Sequence, residues 1–330
     1  MDFVLSYLDF LLKILTIFFA IAALMLINKK STPGEGDDIV VKSLNDANRD
    51  SKLKLAKSIL GKDFKQFSKA ETARKKNEAN NSLDRVFIID FNGDIMAKGV
   101  KQLRKQITTL LEIANSTDEV VLRLKSPGGS VTGYGLAASQ LARIRQQGLK
   151  LTICVDEVAA SGGYMMAAVA NQIIAAPFAV IGSIGVVLEG FNFHKVLDSK
   201  KVSYEQITAG KHKRTFSTFG EITPTGREKV KVDIESIHML FKTLIKKYRP
   251  SLDIEAVATG EIWPGENALK IGLIDELRTS DEYIIELIKT KKVFQLKIPT
   301  KKSVFEKFMK GSSSIIQECI GHISNWRQLR

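Results

Sequence analysis

The sequence predicts an α/β domain built on a mostly parallel sheet and preceded by one transmembrane helix. Three observations predict it. Residues 7–27 are apolar apart from Asp9, Lys13 and Thr16. From residue 85 onward, strand-like and helix-like segments alternate at the spacing of βαβ units. Residues 158–188 contain no charge, yet are broken by Gly162, Gly163, Pro177, Gly182 and Gly185, as a tightly packed core is and a second spanning helix is not.

The elements follow in order. As a helix, residues 7–27 reach roughly 30 Å, the thickness of a bilayer's hydrocarbon core. Most of the nearby basic residues follow this run, and its small-x-small site, Ala20-Ile21-Ala22, lies inside it, so an uncleaved anchor (1–28) fits better than a removed signal peptide. Residues 29–84 are strongly charged with few aromatics and read as a partly helical tether. "RVFIIDF" is a buried strand, residues 100–113 carry helix-spaced apolar positions, and "EVVLRL" is a second strand that ends in the loop "KSPGGS". A helix over 136–145 and the strand "LTICV" come next. Residues 202–207 pattern as a strand and 224–248 as a long amphipathic helix. "GEIWPGENALKIGLIDEL" reads as a strand, a short helix after a Pro-Gly turn, and a closing strand. The domain is thus expected over 85–295. The basic tail, 296–330, places Ile315, Ile316, Cys319, Ile320, Ile323 and Trp326 on one helical face.

Composition narrows the function. The chain has 330 residues, a formal net charge of +13 and two cysteines. Two cysteines make no disulfide framework, and the four histidines have no zinc-site spacing, so neither metal nor cofactor is expected. Lysine and arginine are interleaved with acidic residues and no basic stretch carries stacking aromatics, which argues against nucleic acid and for attraction to anionic lipid.

Two loops carry candidate chemistry. In Ser126-Pro127-Gly128-Gly129-Ser130, after a strand, consecutive glycines expose amides able to hold a developing oxyanion; an ordinary turn is the plain alternative. In Ala159-Ala160-Ser161-Gly162-Gly163-Tyr164, Ser161 stands before a helix, where a serine commonly acts as a cap, and the segment does not match the G-x-S-x-G elbow. A nucleophilic serine needs a base. His194 and His212 have no carboxylate in an evident motif, whereas a buried lysine can serve because burial disfavours its charged form. "AGKHKRTFS" offers both Lys211 and Lys213, and the spacing does not choose between them.

The pieces "RLKSPGGSVTGYGLAASQL", "VDEVAASGGYMMAAVAN", "IIAAPFAVIGSIGVV", "TAGKHKRTFS" and "PSLDIEAVATGEIWPGENALKIGLIDEL" occur in an order that resembles the signal peptide peptidase SppA family. The resemblance covers most of the chain and implies a ClpP/crotonase-like fold with a Ser–Lys dyad. It maps the nucleophile to Ser161, the base to Lys213, the oxyanion donors to Gly129 and Gly162, and a lysine-orienting serine to Ser183. It further implies a serine endopeptidase acting on signal peptides or other short unfolded segments. The assembly it implies is a homo-oligomeric ring, in which adjacent subunits can share a site. The expected location is the inner membrane, anchored in lipid through residues 7–27, with the catalytic domain in the periplasm. Charge counting points the other way, since Lys29 and Lys30 follow the anchor while Asp2 precedes it. Two alternatives share the fold: a crotonase-like acyl-CoA enzyme, which needs no activated Ser161, and a non-catalytic membrane scaffold.

Overall fold

A computed structural model describes residues 2–29, 38–80 and 84–299 of the chain. Two compact units divide it. One holds residues 1–40 and 298–330, the other residues 41–297.

In the first unit, α1 (Asp2–Lys29) is a 28-residue helix. Its described side chains, residues 5–21, are all exposed, among them Phe10, Phe18 and Phe19. Most of that surface is apolar, but Ser6, Asp9, Lys13 and Thr16 form a polar stripe along one face, with Asp9 and Lys13 paired. Among the described residues no helix is long and apolar enough to cross a membrane; the described side chains of α1 cover a stretch shorter than the ~20 residues a span needs. The apolar stripe read in the tail lies outside the described residues.

The second unit is a mixed α/β fold around a parallel sheet. The segment read as a tether supplies β1 (Val40–Ser43), α2 (Leu44–Ile59) and α3 (Phe64–Asn80). Ser43 caps α2 by accepting from the Asp46 amide, and Asn45 bonds the carbonyls of Ile288 and Lys291. That anchors α2 to the far end of the domain. The strands β2 (Arg85–Asn92), β3 (Glu119–Lys125), β4 (Lys150–Val155), β6 (Gln172–Ala175), β9 (Glu276–Leu277) and β10 (Lys292–Lys297) lie in the order β1-β10-β2-β3-β4-β6-β9. Every pairing from β10 to β9 is parallel. A smaller sheet joins β5 (Val158–Ala160), β7 (Val180–Gly182) and β8 (Ile262–Pro264), with β5 and β7 parallel and β8 antiparallel to β7.

Alternation along the strands assigns their two faces. On one, Val86, Ile88, Val121, Cys154 and Ile174 pack beneath Tyr283, Ile284 and Leu287 of α11 (Ser280–Thr290). The opposite face carries Phe87, Ile89 and Phe91, all buried, and Phe91 meets the ring of Tyr134 edge-on at 6.4 Å. Tyr134 belongs to α5 (Val131–Gln146), which packs beside α4 (Val100–Ile113). Strands buried on both faces explain why their sequences run apolar without interruption. A buried carboxylate, Glu119, ties α11 to the sheet through Thr152, Tyr283 and Lys291.

The uncharged stretch at 158–188 is indeed core: it forms β5, α6 (Gly162–Ala167), β6 and β7. Residues 202–207, read as a strand, are not one. They are exposed throughout and pair with no strand among the described residues. The remaining helices are α7 (His194–Ser199), α8 (Pro224–Tyr248), α9 (Ile254–Val257) and α10 (Gly265–Lys270).

Candidate active site

β3 ends at Lys125 and the glycine loop follows. The Ser126 amide donates to Val158 O (2.8 Å) and the Ala160 amide to Ser126 O (3.0 Å), so this loop is stitched to β5 just before Ser161. Gly128, at φ +91°, comes so close that a Cβ there would lie 2.6 Å from Ser161 Cβ and 2.8 Å from the Gly162 nitrogen. No other residue type fits that approach.

Ser161 does not cap its helix. Its side chain makes no capping bond, and its backbone sits at φ +53°, ψ −121°, a region that costs a non-glycine residue about 1–3 kcal/mol. The surrounding bonds hold it there: the Ser161 amide donates to Gly182 O (2.8 Å) and its carbonyl accepts from Met165 N (2.9 Å). Among the described residues the Ser161 hydroxyl has no hydrogen-bond partner, and the residue is partly exposed. Ser183, the residue after Gly182, is a second strained serine at φ +52°, fixed by donation from its amide to Glu261 O. A third non-glycine residue with positive φ, Ala97, lies where a Cβ on Gly133 would strike it, on the helix that follows the glycine loop. Strain of this kind persists only where the surroundings enforce it.

The amide of Gly129, in the exposed part of the loop, has no hydrogen-bond partner among the described residues. The Gly162 amide opens α6 and is likewise without a partner. Ser161, Ser183, Gly128, Gly129 and Gly162 are therefore assembled in one place.

Lys213 is not part of that assembly. It lies with Lys211 in an exposed loop whose described contact is the Lys213 amide on Gly210 O, and among the described residues no bond joins its amine to Ser161 or Ser183. The whole segment 186–223 is sparsely packed. Phe191, Phe193, Phe219 and Tyr204 form a chain of ring contacts at 5.8–6.2 Å, although each is at least 41% exposed.

Two features escaped sequence reasoning. One is the pair of buried hydroxyls beneath the glycine loop, Ser126 and Tyr134; the only signal was a serine and a tyrosine eight residues apart flanking two glycines. The other is a charged cavity of about 300 Å³ on the α11 side of the sheet, lined by Asp90, Arg123, Lys125, Asp156 and Glu157. Four of these charges are paired, Arg123 with Asp90 at 2.6 Å and Lys125 with Glu157, while Asp156 accepts from the amide and hydroxyl of Ser280. Cys154 also lines it, and burial pushes that thiol up to about 12, which keeps it protonated.

Comparison with known proteins identifies the family. Residues 143–294 match Peptidase family S49, and residues 2–141 match its N-terminal region, described as Peptidase family S49 N-terminal. The chain belongs to peptidase family S49. It is 42% identical to the probable protease SohB of Haemophilus influenzae over 325 residues, covering 93% of this chain and 92% of that one. It is 45% identical over 305 residues to the probable protease SohB of Buchnera aphidicola, covering 86% and 99%. Among solved structures, a mutant of the 1510-N membrane-bound stomatin-specific protease aligns with a TM-score of 0.45 and 15% identity, covering 67% of this chain and all of that one. S49 membership makes the chain a peptidase, and within that family the strained serine is the feature to interpret.

Proposed function

We propose that this S49 peptidase is a membrane-anchored serine endopeptidase of ClpP/crotonase-like fold, with Ser161 as nucleophile and Lys213 as base. The observation that carries the reading is Ser161 itself: a strained serine with an unused hydroxyl, held against a glycine loop that has an unpartnered amide. The Lys213 amine takes the serine proton, the serine oxygen attacks the peptide carbonyl, and the amides of Gly129 and Gly162 hold the oxyanion. Lys213 then protonates the departing amine, and water cleaves the acyl-enzyme by the same steps reversed.

A lysine base works best when covered, because desolvation favours its neutral form. In one chain Lys213 is exposed, and so are the aromatic residues of its segment. The cover is a neighbouring copy in a homo-oligomeric ring, with Ser183 orienting the amine once the loop is seated. Substrates are signal peptides or other short, unfolded, membrane-associated segments, which reach a site that folded proteins cannot enter. The largely apolar exposed surface of α1 supports an anchor in the inner membrane, and the family resemblance, against the charge count, puts the catalytic domain in the periplasm.

A fluorophosphonate probe tests the central claim. It labels the wild type and leaves Ser161→Ala unlabelled; equal labelling of both overturns the assignment. A reporter fused after Arg330 that is active only in the cytoplasm overturns the topology.

A further inference from the structure

The glycine loop rests on two side chains that no part of the catalytic scheme uses. Ser126 and Tyr134 are both 0% exposed. The Gly128 amide donates to Ser126 Oγ at 3.1 Å, Ser126 Oγ donates to Tyr134 Oη at 2.7 Å, and Tyr134 Oη donates to the Asp94 carbonyl at 2.9 Å. The direction of this relay follows from its end. A carbonyl only accepts, so the single phenolic proton goes to Asp94, the tyrosine oxygen must accept from Ser126, and the serine oxygen is left to accept from Gly128. Both hydroxyls of the relay, Ser126 and Tyr134, are then satisfied once as donor and once as acceptor.

The relay decides which amide of the loop faces a substrate. Gly128 is turned inward onto Ser126, and Gly129, one residue on, is the exposed amide with no partner. The same tyrosine reaches the other donor as well, since its ring occupies the space that a Cβ on Gly162 would need. One side chain therefore contacts the two halves of the oxyanion site, one through a hydrogen-bonded serine and the other by packing. The main chain repeats the connection, with the Ser130 amide donating to Ile95 O and the Tyr134 amide to Ser130 O.

We propose that Ser126 and Tyr134 are positioning residues of the oxyanion hole, acting in series to hold Gly128 inward so that Gly129 and Gly162 point their amides at one oxygen. The inference rests on the serine-peptidase reading of Ser161. Preorganised donors act on the transition state more than on bound substrate, so the signature is a loss in kcat with little change in KM.

The test compares wild type, Tyr134→Phe, Ser126→Ala, the double variant and Ser161→Ala in the full chain, on a quenched fluorescent peptide. A peptide aldehyde, which becomes an oxyanion on Ser161, is measured beside the matching alcohol, which does not. The expected result is a fall in kcat of about 10-fold for Tyr134→Phe and up to about 100-fold for Ser126→Ala. KM and alcohol binding stay within about 2-fold, and aldehyde affinity falls in step with kcat. Because the relay is serial, the double variant is no worse than Ser126→Ala alone. Wild-type kcat and aldehyde affinity in folded Tyr134→Phe, which keeps the ring, overturn the inference even where Ser126→Ala does not fold. Additive losses in the double variant overturn it too. Ser161→Ala separates the two levels: if it retains activity, the serine-peptidase reading fails; if it is inactive while Tyr134→Phe is normal, only the positioning role fails.

Discussion

Two halves of the proposed site are built in opposite ways. The serine half is buried and bonded: Gly128, Ser126, Tyr134 and β5 leave the Ser161 backbone no alternative to a strained conformation. The lysine half, residues 186–223, is an exposed segment held by few long-range bonds, such as the Asn192 side chain donating to the carbonyls of Ser217 and Gly220. The difference teaches that the proposed nucleophile and the amides proposed for the oxyanion lie together in one chain, whereas the proposed base lies apart from them.

The comparison breaks first at its chemical ends. Ser161→Ala and Lys213→Ala each lower peptide hydrolysis by at least about 1,000-fold, whereas Lys211→Ala stays within about 2-fold. An inactive Lys211→Ala beside an active Lys213→Ala reverses the choice of base. Next comes the serine half. Gly128→Ala pushes a methyl against Ser161 Cβ at a φ of +91°, and kcat drops by about 100-fold or more while the chain still folds around α11. A near-normal rate in that variant means the loop does not set the serine. The lysine half is probed through its rings. Replacing Phe191 and Phe219 with serine raises the protein concentration giving half-maximal specific activity by about 10-fold, followed by dilution assay and light scattering together. Concentration-independent activity of a monomer removes the idea that a neighbour seats Lys213.

The smallest effect is one that leaves rate constants alone. Burial raises the pKa of Glu119, but hydrogen bonds from Tyr283, Lys291 and Thr152 and the charge of Lys150 outweigh it, and the net shift is downward. A depressed folded-state value means its stabilisation is complete above the unfolded carboxylate value of about 4.3 and is lost as pH falls through the folded value. Glu119→Gln therefore costs about 1–3 kcal/mol at neutral pH and flattens the acid side of a Tm-versus-pH curve, with kcat unchanged. An unchanged acid limb assigns that slope to other carboxylates, Asp118 beside Arg85 first among them.

Much of this was legible from residue patterns because it depends on local rules. The strands β2, β3 and β4 stand out as apolar runs since both of their faces are buried, and α4 and α8 are bounded as their periodicity and the Thr223-Pro224 start indicate. The serine was visible as a residue but not as a nucleophile. A helix cap and a strained elbow use the same serine before the same glycines, and only the backbone angles, imposed by Gly182 and the neighbouring loop, tell them apart. Residues 202–207 misled because β-prone residues mark a strand only where a neighbouring strand pairs with them and one face is buried, and these are exposed throughout. Nor did local pattern place β1 and α2 on the domain, since their partners, β10 and the end of α11, lie at the other end of the chain.

That last placement has a consequence for synthesis. β2 is the first strand of the parallel array to be made and β10 the last, yet they are neighbours, Arg85 against Lys292 through Ile89 against Leu296. Contacts so distant in sequence form late and slowly. While the chain is being translated, β2 keeps one open edge after Ser161 and its glycine loop have already emerged, so a growing or truncated chain lacks a finished sheet beneath them. A chain that stops short of Lys292 therefore lacks the strand that flanks β2 in the finished sheet.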